Sequence, residues 1–269
     1  MKDQLHELEK WKDLARQILS LAQEVIDNSE KMGIEYDKDR LFEEGKYKLI
    51  ANTFLFSARE DFKAVYLLLT NSLASQAIMV VRHLFELMVN LRYISKCPDK
   101  RVKQYCGFDP IERNKWLSNL ENNKLFRINQ DTKNLWQEWL KESMKDLGIN
   151  KLPKGFEWSG SKIDKMSEEV GMSNQYLGVY KICCLFTHPS PWGSSFFSKQ
   201  ASDGAIELNQ PYHLLCFFWI AIGYFIDIIR KVDQILGTGL DISINEIFAK
   251  YEVCLKEQQD NIKRPCRED

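Results

Sequence analysis

Histidine is scarce in this chain. His6, His83, His188 and His213 are the whole set, and none stands at HExxH, ExxH or Cys/His spacing, so the usual zinc and di-iron ligand sets have no basis here and no metal or other cofactor is expected. Cysteine pairs are missing too. Cys97, Cys106, Cys183, Cys184, Cys216, Cys254 and Cys266 contain no CxxC and are odd in number, which fits reduced thiols better than a closed disulfide framework. Basic charge shows no surplus: 37 Lys and Arg face 38 Asp and Glu, a net charge of −1, so any contact with RNA or a nucleotide has to come from a local patch. Glycine-rich phosphate loops, a GxSxG elbow and the Rossmann fingerprint are absent, as is any convincing alternating strand pattern.

Long hydrophobic runs are also lacking. Leu214 to Ile226 is apolar apart from one tyrosine hydroxyl, but Asp227, Arg230 and Lys231 follow before a membrane-spanning length is reached. The run predicts a buried core helix and no membrane span; contact of 212–230 with a membrane surface is the rarer alternative. The opening MKDQLHELEKWKD is charged and amphipathic, without the apolar stretch of a secretory signal, and together with the thiols it gives a cytoplasmic expectation.

What is present is helical periodicity. The fold class it predicts is all-α, a single multi-helix bundle with long central hydrophobic helices. Residues 1–40 read as an N-terminal amphipathic helix and linker, in which Leu5, Leu8, Trp11, Leu14, Ile18, Leu21 and Val25 recur at three- and four-residue steps. Residues 41–260 read as the helical bundle, and 261–269 as a charged tail. Within the bundle a helix over about 41–70 turns at Asn71 or Ser72, a capped start for the next helix. Cys97-Pro98 stops that second helix, and Asp109-Pro110 opens a further short one. The 112–148 segment carries Trp116, Trp136 and Trp139, expected as packing anchors. An irregular stretch follows at 148–160, and Ser161 with Asp164 resembles a capping box. The 194–211 connection has room for a short hairpin, and helices are expected at 212–232 and about 243–260.

The 72–96 helix is apolar nearly all round, which predicts a central position and makes His83 a satisfied core histidine. At about 100° per residue, Arg82, Glu86 and Tyr93 project along one stripe of it. A guanidinium and a carboxylate on a buried helix must satisfy each other and find further partners. Residues 173–193 supply candidates: Tyr180, Cys184, Thr187 and His188 recur at helical spacing before Pro189 and Pro191. His188 falls at a helix C-terminus, where the dipole favours imidazolium. Cys183 and Cys184 read as buried, inert thiols. The basic 96–103 stretch (KCPDKRVK) reads as a dipole-complementing surface, with a small anion-binding rim as the alternative.

The order Arg82-x-x-x-Glu86 with Tyr93, then Trp158-Ser159-Gly160, then Tyr180 and Thr187-His188-Pro189, resembles the bacterial DUF5677 helical proteins over roughly residues 45–230. The resemblance implies an intracellular all-α protein without an established activity, and kinship to the HEPN-like helical proteins of prokaryotic conflict (defence) and stress systems. HEPN ribonucleases carry an arginine four to six residues before a histidine, and none of the four histidines here has one. Ribonuclease chemistry would therefore require folding, or a homodimer, to bring Arg82 to His188.

Two functional expectations follow. In one, Arg82, Glu86 and His188 form a metal-independent phosphodiester or nucleotide site: His188 is the general acid/base, Arg82 holds phosphate charge, and Glu86 orients Arg82. Tyr93, Tyr180, Thr187 and Trp158 would line it, with RNA or a nucleotide as ligand. In the other, the same residues are a buried polar cluster that fixes helix register in a non-catalytic interaction module, whose function lies on exposed faces such as the aromatic 112–140 segment or a homodimer surface.

Overall fold

The computed structural model describes residues 2–31, 44–71, 73–123, 128–151, 157–188, 198–200, 206–208 and 215–263. The elements in chain order are α1 (Lys2–Lys31), α2 (Glu44–Thr70), α3 (Ala74–Lys96), α4 (Pro98–Asn123), α5 (Gln130–Asp146), α6 (Ile163–Glu169) and a short turn α7 (Ser173–Gln175). A π-helical turn over Tyr176–Tyr180 leads directly into α8 (Lys181–Thr187), and then come β1 (Ser198–Gln200), β2 (Ile206–Leu208), α9 (Leu215–Leu236) and α10 (Asp241–Lys263). The fold is all-α. Among the described residues it is joined by one small antiparallel hairpin, in which Ser198 is paired with Leu208.

Helices α2, α3 and α9 pack against one another most extensively and form the centre of the bundle. Their seam is aromatic and aliphatic. Phe62 of α2 stacks on Phe225 of α9 with centroids 4.7 Å apart, and Leu84, Phe85, Leu91, Ile222 and Ile229 close around them, all but fully buried. Helix α1 adds Trp11, Ile18 and Val25 to the same core, with Trp11 lying 5.5 Å from Trp219. Helices α4 and α5 make a side hairpin, joined to the centre by Val102 and by Tyr105, whose ring meets Phe54 edge-on at 5.5 Å. The apolar run of α9 spends its side chains on this core. Among the described residues no helix is long and apolar enough to cross a membrane.

Several local expectations are corrected. Pro110 opens no new helix: α4 runs through it from Pro98 to Asn123, forgoing one backbone bond while Phe108 and Ile111 on either side remain buried. Asn71 closes α2 instead of opening α3. Its amide donates to the Leu67 carbonyl at 2.8 Å and Leu73 N–H reaches Leu68 O at 2.7 Å, while the N-cap position of α3, Leu73, makes no side-chain cap; Ser72 lies outside the described residues. The Ser161 cap does not form either. Lys162 takes the N-cap position, and Ser161 N–H donates to Ser159 Oγ in a turn that passes through Gly160 at φ +70°. Trp116 anchors nothing, being 61% exposed. His83 is exposed too, on the outward side of α3 while Val81 and Leu84 beside it are buried; its Nδ1 pairs with Asp61 Oδ2 of α2 at 2.5 Å. Pro189 and Pro191 fall outside the described residues.

Candidate functional site

Arg82 and Glu86 lie one turn apart on α3, so the guanidinium can reach down its own helix, and Arg82 Nε donates to Glu86 Oε1 at 3.1 Å. Tyr180 completes a ring. Its hydroxyl accepts from Arg82 Nη2 at 3.2 Å and donates to the same Glu86 oxygen at 2.8 Å. The Tyr180 ring is buried, 5.2 Å from Phe85, and the Arg82 guanidinium stands 5.2 Å from its centroid. Burial, and then the Glu86 carboxylate, push the Tyr180 pKa well above its ordinary value, so the hydroxyl keeps its proton and remains a donor. Burial opposes the charge on Arg82, but Glu86 and Tyr180 outweigh it and hold the guanidinium more firmly protonated. The Arg82 and Glu86 side chains keep 25% and 30% of their exposure, so one edge of the ring meets solvent.

The π turn presents Tyr180 to α3. Lys181 N–H bonds to Tyr176 O, one residue farther back than in an α-helix, and Tyr176 stacks on Tyr180 at 5.2 Å with 20° between the planes. Downstream, Cys184 lies close enough to act on the charge of Arg82. His188 stands apart. It is the exposed C-cap of α8, its backbone N–H bonds to Cys184 O, and among the described residues its ring makes no hydrogen bond with Arg82, Glu86 or Tyr180. Thr187 also turns inward to its own helix, its Oγ1 donating to Cys183 O at 3.0 Å.

Tyr93 and Trp158 belong to a second cluster farther along α3. Asn90 links the two clusters: its amide donates to the Glu86 carbonyl at 2.7 Å and its oxygen accepts from Trp158 Nε1 at 2.8 Å. The Trp158 ring meets Tyr93 edge-on at 5.8 Å and Tyr105 at 5.1 Å. Arg101 covers Tyr93, its Cζ 3.5 Å from the ring centroid, and also bonds the Tyr93 carbonyl and the Glu169 carboxylate. Lys96 donates to the Glu169 carbonyl. Two of the four cations of the 96–103 stretch, Lys96 and Arg101, thus hold α6 against the C-terminus of α3.

Sequence reasoning missed the pair that ties α3 to α9. Arg92 is a bidentate donor to Asp227, Nε to Oδ2 at 2.8 Å and Nη2 to Oδ1 at 2.7 Å. The signal was there: a carboxylate ending thirteen apolar residues on a core helix needs a cation, and Arg92 lies on the neighbouring apolar helix. Among the described residues no group of three or more His, Cys, Asp or Glu is placed to hold a metal ion.

These helices and their polar clusters define an all-α protein with no cofactor-binding motif in its sequence. The chain belongs to the family of unknown function DUF5677, which matches residues 48–205, more than half of its length. No curated protein and no solved structure matches it.

Proposed function

We propose that this protein is a non-catalytic helical interaction module, and that Arg82, Glu86 and Tyr180 are its internal polar clasp. The observation that carries this reading is their mutual satisfaction: each of the three bonds the other two, and His188 takes no part. A closed ring of this kind costs stability relative to apolar packing but selects one register for the π turn on α3. The exposed aromatic side of α4 and α5, with Trp116, Leu135 and Trp139 between 39% and 61% exposed, suits a partner surface, either another protein or a second copy of the chain.

Unfolding of a double-mutant cycle tests the clasp. Tyr180→Phe costs about 1–2 kcal/mol, since it removes a hydroxyl serving two charged partners, and its effect shrinks in a Glu86→Gln background. Metal-free turnover of RNA or nucleotides by the wild type, lost in His188→Ala, would overturn the reading.

One observation favours the second reading, a phosphodiester or nucleotide site of the prokaryotic conflict or stress type. The solvent-facing edge of Arg82 is open to an anion. On that reading the cytoplasmic, HEPN-like expectation stands with it, and His188 swings toward Arg82 when substrate binds.

A further inference from the structure

A cleft runs along α9 on the side facing α3, the π turn and α10. Its larger part, about 430 Å³, has an apolar end formed by Met172, Val179 and Ile220 and a polar end formed by Arg92, Asp227 and Arg230. A second part, about 350 Å³, shares those three polar residues and adds Lys96 and Lys231. Both volumes lie in the range of small-molecule sites.

Charge along this cleft is unbalanced. Four cations meet one carboxylate, and both oxygens of that carboxylate, Asp227, already accept from Arg92. Lys96 is engaged with the Glu169 carbonyl. Arg230 and Lys231 have no ion pair among the described residues. The Arg230 guanidinium lies 4.2 Å from the centroid of Phe248, and its Nε is buried with no hydrogen-bond partner among the described residues. Tyr224, only 7% exposed, has a buried hydroxyl in the same condition.

Arg230 and Lys231 thus leave the cationic end of the cleft without a counter-anion, a condition that an anionic ligand would relieve. Tyr224 and Arg230 are six residues apart on α9, a rise of about 9 Å, so the cleft changes from apolar to cationic over the length of a small molecule. A nucleoside base would need accessible hydrogen-bonding groups at the apolar end, where the Tyr224 hydroxyl is buried, the Tyr251 hydroxyl already donates to Trp219 O and Gln175 supplies the one amide.

We infer that this cleft binds a small anionic amphiphile, with a carboxylate or phosphate monoester head held by Arg230 and Lys231 and an apolar body lying over Met172, Val179 and Ile220. No member of the Arg82 ring lines the cleft, so this site stands or falls independently of the clasp.

Titration calorimetry on the full chain with octanoate, octyl phosphate, octanol, inorganic phosphate and adenosine monophosphate tests it. Saturable one-to-one binding is expected for octanoate or octyl phosphate, and whichever binds tighter identifies the head group. Arg230→Gln weakens that binding by about tenfold or more. Octanol bound as tightly as the anions, either inorganic phosphate or the nucleotide bound more tightly than both, or no saturation by either amphiphile would overturn the proposal. So would an Arg230→Gln protein that binds like the wild type. Should Arg230→Gln fail to fold, Lys231→Gln replaces it; it is expected to weaken binding several-fold, and wild-type affinity in that protein refutes the site.

Discussion

Arg92 and Asp227 are far apart in sequence, yet their side chains meet fork to fork across the seam of α3 and α9. The pair is partly exposed, at 37% and 24%, so solvent screens part of its attraction. Asp227→Asn is expected to cost about 1–2 kcal/mol in chemical denaturation, mostly by removing the charge and one of the two acceptor oxygens that Arg92 uses. Replacing both, Arg92→Met with Asp227→Leu, should cost less than the two single changes added together, since no charge is then stranded. Strict additivity in that cycle would mean that the pair is not coupled.

His83 and Asp61 make the bundle's stability depend on pH. The Asp61 hydrogen bond lifts the His83 pKa above its ordinary 6.5, against the opposing effect of burial. A raised value in the folded state means that the contribution is fully present below about pH 6.5 and is lost as pH rises through the folded pKa. The stability gap between wild type and His83→Gln should therefore be widest in mild acid and close in the alkaline direction. Imidazole NMR titration checks it directly: an Asp61→Asn protein with an unchanged His83 midpoint would refute the assignment.

Thiol reactivity should follow burial. Cys97 is exposed, while burial pushes the Cys183 thiol up to about 12 and Cys216 up to about 11, so neither forms much thiolate near neutrality. Alkylation of the native protein followed by peptide mass spectrometry is expected to mark Cys97 well ahead of both. Labelling of Cys183 at the rate of Cys97 would show that α8 opens readily.

Gly223 gives room to Tyr251. A Cβ there would lie 2.8 Å from the Tyr251 hydroxyl, which donates to Trp219 O at 3.2 Å. Gly223→Ala gains about 1 kcal/mol of helix propensity and forfeits a hydrogen bond of about the same worth, so the net change should be near zero. In a Tyr251→Phe background the clash with the hydroxyl is gone, and the same substitution should stabilise by up to about 1 kcal/mol. Thermal melts of the four proteins decide it; equal effects in both backgrounds would rule out the steric argument.

The helices were legible because their apolar residues repeat at three and four, and α1, α2, α9 and α10 begin and end within about four residues of the periodicity. The pairing of Arg82 with Glu86 was legible for the same reason, being a one-turn relation on a helix with little polar surface. Tyr180 was named as a partner from its spacing with Cys184. Other features depend on tertiary position, which periodicity does not encode. His83 and Trp116 read as buried from their neighbours, but the helices carrying them reach the surface where those residues sit. Pro110 reads as a helix start because proline favours a first turn, yet α4 tolerates one lost backbone bond while its buried face continues on both sides.

The π turn also sets a constraint on how the backbone is wound. Between Ser173 and Thr187 the backbone carries one residue more than a regular helix would use, and that surplus decides which side chains downstream face α3. Leu177 is largely exposed, and a methyl added at Gly178 would meet nothing within 4 Å, so substitutions at either position have little to disturb. Rewinding the turn with every residue kept is another matter: 3.6 residues per turn across Tyr176–Tyr180 would rotate Cys184 and everything after it by about 100° relative to Tyr176. In this stretch the winding of the backbone is under tighter constraint than the identity of the residues that line it.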